Sequence, residues 1–217
     1  MIVDERVSCY IKSLTACNSN FLEELREKAL EDKVPIIKRE TESLLKTLLL
    51  LKKPKKILEV GTAVAYSSLV MAEVLEGKTK ISTIENYEKR VLEARKNIAG
   101  SNYSNTIHLI EEDASKVLKK LVEKKEKYDF IFMDAAKGQY INWLEPVIKL
   151  LNKEGVLCSD NVLQGGDIVQ SRYLIERRDR SIHSRLREYL YELTHREELS
   201  TTILSLGDGV ALTVLKK

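Results

Sequence analysis

The chain has 217 residues, 43% of them hydrophobic and 32% charged, with a formal charge of +3. That length and apolar content support one sizeable core, read most economically as a single domain over 1–217, while the slight basic excess neither demands a nucleic-acid partner nor excludes one. Cys9, Cys17 and Cys158 follow no metal-type spacing, no basic flank precedes an apolar segment near the N-terminus, and the longest apolar streak, Leu48 to Leu51, is too short for a bilayer; a membrane-spanning reading fails and a reducing cytoplasm is expected.

In chain order, residues from about 3 to 51 show helical spacing (Leu22, Leu25, Ala29; then Leu44, Leu45, Leu48), interrupted around Val34 and Pro35. This is a helical preface over 1–51. From Lys56 onward, β-rich runs (Ile57 to Val60, Ile81 to Ile84, Ile107 to Ile110, Phe130 to Met133, Val156 to Ser159) alternate with helical patterns. Such alternation predicts an α/β fold, a parallel sheet with helices on both faces. At the end, Thr201 to Leu206, the turn Gly207-Asp208-Gly209 and Val210 to Leu215 read as an antiparallel hairpin.

In open parallel sheets, ligands bind outside the carboxyl ends of the strands. Reading those ends gives Glu59-Val60-Gly61, Glu85, Asp113, Asp134 and Asp160-Asn161. Clustered carboxylates repel and are costly to bury, so the crevice should take something cationic or rich in hydroxyls. The first loop, Gly61 to Ser68, has one glycine where a dinucleotide's pyrophosphate needs three, which argues against a nicotinamide dehydrogenase. A cofactor of the S-adenosylmethionine type has no phosphate and carries a sulfonium and an ammonium. Glu59 then becomes an asset, and Glu85 is placed for ribose hydroxyls. Asp134 and Asp160-Asn161 end neighbouring strands and together offer an all-oxygen site, suited to Mg²⁺ first and then Mn²⁺ or Ca²⁺; as bare residues they serve equally as polar turns or helix caps.

GTAVAYSS (Gly61 to Ser68), DAAK (Asp134 to Lys137) and SDN (Ser159 to Asn161) resemble the metal-dependent O-methyltransferases similar to catechol and caffeoyl-CoA methyltransferases. More narrowly, VPII (Val34 to Ile37), RDRSIHSRLREYL (Arg178 to Leu190) and LGDGVALTV (Leu206 to Val214) resemble the bacterial tRNA 5-hydroxyuridine methyltransferases. The resemblance implies a Rossmann-like class I methyltransferase fold with a mostly parallel seven-stranded sheet, and methylation of 5-hydroxyuridine at the tRNA wobble position to 5-methoxyuridine. It puts Glu59, Gly61, Ser67 and Asp134 at the methionine end of S-adenosylmethionine, Glu85 on the ribose, and Asp113 and Ala114 beside the adenine. Ile37 closes over the cofactor. Asp134, Asp160 and Asn161 hold the metal, and Lys137 with Asp134 serves catalysis, Lys137 as the base. The family's usual glycine before Tyr-Ser is Ala65 here, which costs on the order of 1 kcal/mol if the position needs positive φ and nothing if it does not.

The substrate must be read outside that site. Arg172, Arg177, Arg178, Arg180, Arg185 and Arg187 stand in one segment beside only Glu176 and Asp179. Guanidinium forks suit RNA phosphates, whereas a solvated helix face or a dimer surface would account for the same pattern. The resemblance favours tRNA, with Arg172, Arg177, Arg178, Arg180 and Arg185 as its contacts. A methyltransferase of small catechol-like or caffeoyl-CoA-like substrates is the alternative, and a non-catalytic cofactor-binding protein would need no Lys137, Asp160 or Asn161. A homodimer is expected from the resemblance and the terminal hairpin.

Overall fold

The computed structural model describes residues 4–216; residues 1 to 3 of the predicted preface, and Lys217, lie outside them. The preface is three helices, α1 (Glu5–Leu14), α2 (Asn20–Glu31) and α3 (Arg39–Lys52). The break at Val34 and Pro35 was expected from the sequence; a second, between α1 and α2, was not. There the Asn18 backbone N–H donates to Glu23 (2.8 Å), and its side-chain amide donates to Glu42 and Tyr66. Side chains that bond this way compete with helical hydrogen bonding, and no apolar spacing records it. Helix α3 stops at Lys53, left-handed at φ 49°, just before Pro54, which cannot continue a helix.

Beyond it run β1 (Lys56–Val60), α4 (Tyr66–Val74), β2 (Lys80–Glu85), α5 (Glu88–Ala99), β3 (Ile107–Glu111), α6 (Ala114–Glu123), β4 (Tyr128–Met133), a 3₁₀ turn (Lys137–Gln139), α7 (Tyr140–Leu150), β5 (Leu151–Asp160), a second 3₁₀ segment (Gln164–Val169), α8 (Arg180–His195), β6 (Leu199–Leu204) and β7 (Val210–Leu215). The seven strands form one sheet in the order β3-β2-β1-β4-β5-β7-β6. The first five are parallel, and β7 pairs antiparallel with both β5 and β6.

Successive strand residues alternate between two cores, as a period of two requires. Ile57, Phe130 and Phe132 pack with α2 to α5, whereas Leu58, Ile131, Met133 and Leu157 pack with α6 to α8. Strand β5 begins earlier than its apolar run, because Leu151 pairs with Tyr128 before the register shifts and Val156 meets Phe130. The polar residues between them hide the strand, and Asn152 is spent on Asp129 (2.7 Å). In the hairpin, β6 spans Leu199–Leu204 instead of 201 to 206; buried Leu199 pairs with Leu215, and Leu206 leaves the ladder to accept from Gly209 N–H (2.8 Å).

Candidate active site

The strand order reverses between β1 and β4, and a cleft of about 760 Å³ opens over their carboxyl ends. Its floor includes Gly61, at φ 103°, where an added Cβ would lie 2.0 Å from the Asp134 carbonyl oxygen. Only glycine lets the β1 and β4 ends approach so closely. Glu85, the last residue of β2, accepts from Ala63 N–H (2.9 Å) with one oxygen and from Asn86 and Tyr87 N–H (3.0 Å each) with the other. Those bonds hold a carboxylate at the cleft wall in one orientation. Asp113 caps α6, accepting from Lys116 N–H (3.2 Å), and with Ala114 lines the far end of the cleft. Ile37, from the preface, lines the cleft under the grip of Arg26, which donates to its carbonyl (3.1 Å).

Glu59 sits differently. It is fully buried within β1 beneath the loop, accepting from Ser67 (2.5 Å), Ser68 and Thr83 (2.5 Å). Ser67 lines the cleft and Glu59 does not, so Glu59 reaches the cavity through that hydroxyl. Burial pushes the Glu59 carboxyl up to about 7 despite the three donors, with a further contribution from the charge of Asp134. Ala65 answers the question its sequence position raised: it is left-handed (φ 66°, ψ 21°), fully buried, and forms the N-cap of α4.

At the other side, Asp134 follows β4 directly and accepts from Lys137 Nζ (2.7 Å), both side chains about one-fifth exposed. Asp160 ends β5, only 4% exposed, with a long contact from Thr41 Oγ1 (3.4 Å) on Oδ1. Burial first, and then the neighbouring charge of Asp134, raises its carboxyl. Asn161, left-handed at φ 63°, turns from the strand end to line the cleft beside Asp134. Tyr140 is a residue the sequence reading passed over. Fully buried, its hydroxyl donates toward the carbonyls of Met133 (3.1 Å) and Asp160 (3.2 Å) and accepts from Ala135 N–H (3.2 Å) and Lys137 (3.4 Å). It ties together the ends of the two strands that carry Asp134 and Asp160. In sequence it reads as one more apolar position of α7, and nothing there announces its polar end.

Among the described residues no three or more His, Cys, Asp or Glu side chains converge as a metal cluster; the acidic group here is two aspartates and an asparagine. The arginine segment is divided in its roles. Arg180 donates to the carbonyls of Ile175 (3.0 Å) and Tyr173 (3.4 Å), Arg185 to Gly138 (3.3 Å) and Arg187 to Ile168 (3.0 Å). Arg178 pairs with Glu176 (2.9 Å) and Asp179 (3.5 Å). Arg172 and Arg177 are exposed. The bond from Arg185 to Gly138 sets the first turns of α8 against the 3₁₀ turn that carries Lys137.

This sheet order, with a cofactor-sized acidic cleft at the switch point, defines a Rossmann-like methyltransferase of the class I type. The chain belongs to the O-methyltransferase family, whose sequence profile matches residues 12–217. It is 33% identical over 172 residues to the flavonoid 3′,5′-methyltransferase of Vitis vinifera, covering 76% of this chain and 72% of that protein. A Staphylococcus aureus structure provisionally assigned as a caffeoyl-CoA O-methyltransferase is 31% identical and superposes with a TM-score of 0.88, over 98% of this chain and 100% of that one. A Bacillus cereus O-methyltransferase solved in complex with SAH shares the fold with a TM-score of 0.85 at 24% identity, covering 97% of each chain.

Proposed function

We propose that this O-methyltransferase takes its methyl group from S-adenosylmethionine and, with a divalent cation, delivers it to one of two adjacent oxygens on the acceptor. The observation that carries this reading is the meeting, in one cleft, of Glu85 and Asp113 with Asp134, Lys137 and Asn161. A cleft lined by Glu85, Glu112, Asp113 and Asp134 suits a cationic cofactor and repels a pyrophosphate. Glu85 would hold the ribose hydroxyls, Asp113 and Ala114 the adenine, and Gly61, Ser67 and Asp134 the methionine end, with Ile37 above and Glu59 behind. The B. cereus protein of the same fold binds SAH, in keeping with this arrangement.

The metal reading fits the donor chemistry. Asp160 is a buried carboxylate that receives a long contact from Thr41 and a backbone N–H from Asn161, close enough to Asp134 to feel its charge, and Asn161 adds an amide oxygen. An all-oxygen set of this kind suits Mg²⁺. Asp134, Asp160 and Asn161 would hold the cation, whose charge would lower the pKa of an acceptor hydroxyl, and S-adenosylmethionine would supply an electrophilic methyl. The chain's own residues would do the rest: Glu85 and Ser67 fix one reactant, Asn161 and Asp134 the other, and Lys137, which lies 2.7 Å from Asp134 Oδ1, would receive the acceptor's proton as the neutral amine, Asp134 stabilising the ammonium that forms.

Two acceptors meet the two-oxygen requirement. Small catechol-like phenols or caffeoyl-CoA-like esters agree with the names of the relatives above. The 5-hydroxyuridine of tRNA, with its 5-hydroxyl and 4-carbonyl, is the second reading, favoured by exposed Arg172 and Arg177 in the segment that reaches the Lys137 turn. A homodimer is proposed likewise; α1 buries none of its own residues and leaves Val7, Tyr10, Ile11 and Leu14 exposed. The deciding experiment incubates the protein, S-adenosylmethionine and Mg²⁺ with hydroxyuridine-containing tRNA, with a catechol and with caffeoyl-CoA, and reads methylated product by mass spectrometry. Turnover should stop in EDTA, return with Mg²⁺, and be lost in Asp160→Ala. Full activity in chelator would remove the metal from the mechanism.

A further inference from the structure

Outside the cleft, a second cavity of about 350 Å³ lies between the segment 170–172 and the first turns of α8, lined by Gln170, Ser171, Arg172, His183, Ser184 and Arg187. It shares no lining residue with the methyl-transfer cleft. No carboxylate lines it. His183 is 2% exposed, and neither ring nitrogen has a hydrogen-bond partner. A buried imidazole with both nitrogens idle is costly, and a polar ligand that drew the ring toward the cavity would relieve that cost. The donors beside it are free in a definite pattern. Arg187 spends Nη1 on Ile168 and keeps Nη2 and Nε, Ser171 Oγ accepts from Tyr173 N–H (3.4 Å) and keeps its proton to donate, and Arg172 has no partner among the described residues. Gln170 and Ser184 are already donating, to Asp167 (3.3 Å) and to the Arg180 carbonyl (3.0 Å).

We propose that this cavity is a phosphate-binding site, formed by Arg172, Arg187, Ser171 and His183. Two guanidinium groups and a hydroxyl line the cavity from two elements with the His183 ring packed beside them, and a tetrahedral oxyanion accepts from such a set of donors at once. Occupancy would tie the segment leading from Asn161 to the same helix that braces Gly138 through Arg185. The shared chemistry is a phosphate group, whether free inorganic phosphate or one borne by a coenzyme A thioester or a nucleic acid.

The test needs no methyl transfer, so it stands apart from the function proposed above. Inorganic phosphate is titrated into the full-length, cofactor-free protein, and the ring resonances of its three histidines are followed by NMR, His183 being assigned with His183→Gln. Millimolar phosphate should shift the His183 ring and leave His108 and His195 in place. Arg172→Ala, a change at an exposed side chain, should weaken that binding about tenfold. Coenzyme A and a tRNA anticodon stem-loop are then added as competitors, and whichever displaces phosphate identifies the carrier; displacement by neither assigns the site to the free anion. An unmoved His183 ring, or binding unchanged in Arg172→Ala, would overturn the proposal.

Discussion

At Ala65 the backbone asks for a residue that the sequence does not supply. A left-handed non-glycine residue costs about 1–2 kcal/mol, which glycine would relieve. The same substitution loses a fully buried methyl worth about 0.8 kcal/mol and gives the unfolded chain extra freedom worth about 0.4–1 kcal/mol. These nearly cancel, so Ala65→Gly should leave stability within about 1 kcal/mol of the parent, whereas Ala65→Val, β-branched at positive φ in a full core, should lose on the order of 3 kcal/mol. Calorimetric melting separates the two, and an Ala65→Val protein as stable as the parent would contradict the left-handed backbone. Glu59 makes a prediction in pH. Its native carboxyl holds a proton up to about 7 against 4.5 for the free group, so between those values the native state binds more protons and stability falls as pH rises. The loss, complete above that window, amounts to roughly 3 kcal/mol at most. Urea unfolding of the ligand-free protein below and above the window should show this decline, and Glu59→Gln should flatten it; equal slopes in both proteins would assign the pH dependence elsewhere.

Among the elements, the short ones place the polar side chains of the cleft. The 3₁₀ turn Lys137–Gln139 directs Lys137 back onto Asp134, and Arg185 of α8 holds that turn by its Gly138 carbonyl. Replacing Lys137 with Ala should slow single-turnover methyl transfer by about 10²- to 10⁴-fold while leaving S-adenosylmethionine affinity, read by calorimetry, nearly unchanged. A wild-type single-turnover rate would leave Lys137 as a structural partner of Asp134. The C-terminal hairpin also serves the site. Its turn accepts from Val162 and Leu163 N–H through the carbonyls of Gly209 and Asp208 (3.0 Å each), and a Cβ on Gly209 would lie 2.3 Å from Leu163 Cγ. Lys38 of the preface bonds Asp208 (2.6 Å), so both ends of the chain brace the loop that begins at Asn161.

For the whole molecule, charge distribution bears on the size of the acceptor. A net charge of +3 is small, and most of the arginine segment is engaged with backbone carbonyls or acidic neighbours. If tRNA is the acceptor, Arg172 and Arg177, exposed and without a protein partner among the described residues, are the members of this segment wholly available to phosphate. Each phosphate neutralised should contribute about 0.7 to 0.9 to the log–log slope of binding against salt. Arg172→Ala with Arg177→Ala should therefore flatten that slope and raise the KM for tRNA, with catechol methylation unchanged. Equal effects on both acceptors would count against an RNA surface here. No helix among the described residues is long and apolar enough to cross a membrane.

The alternating architecture was legible in the order of residues alone, because parallel strands buried on both faces must be continuous apolar runs. So was the placing of Gly61, Glu85, Asp134 and Asp160-Asn161 at strand ends, where Gly61, Glu85, Asp134 and Asn161 line the cleft and Asp160 lies buried beside it. That Glu59 lies beneath the floor was not legible, since a strand-end carboxylate reads the same whether it faces the cleft or three hydroxyls. Nor could the arginines that clamp backbone be separated from those that face water, because that depends on which carbonyls of the 161–179 segment and of the Lys137 turn come within their reach. The backbone at Ala65, the Tyr140 link between two strand ends and the idle His183 ring are products of packing between residues far apart in the chain. Each rests on distances that no local pattern encodes, so the folded arrangement alone settles them.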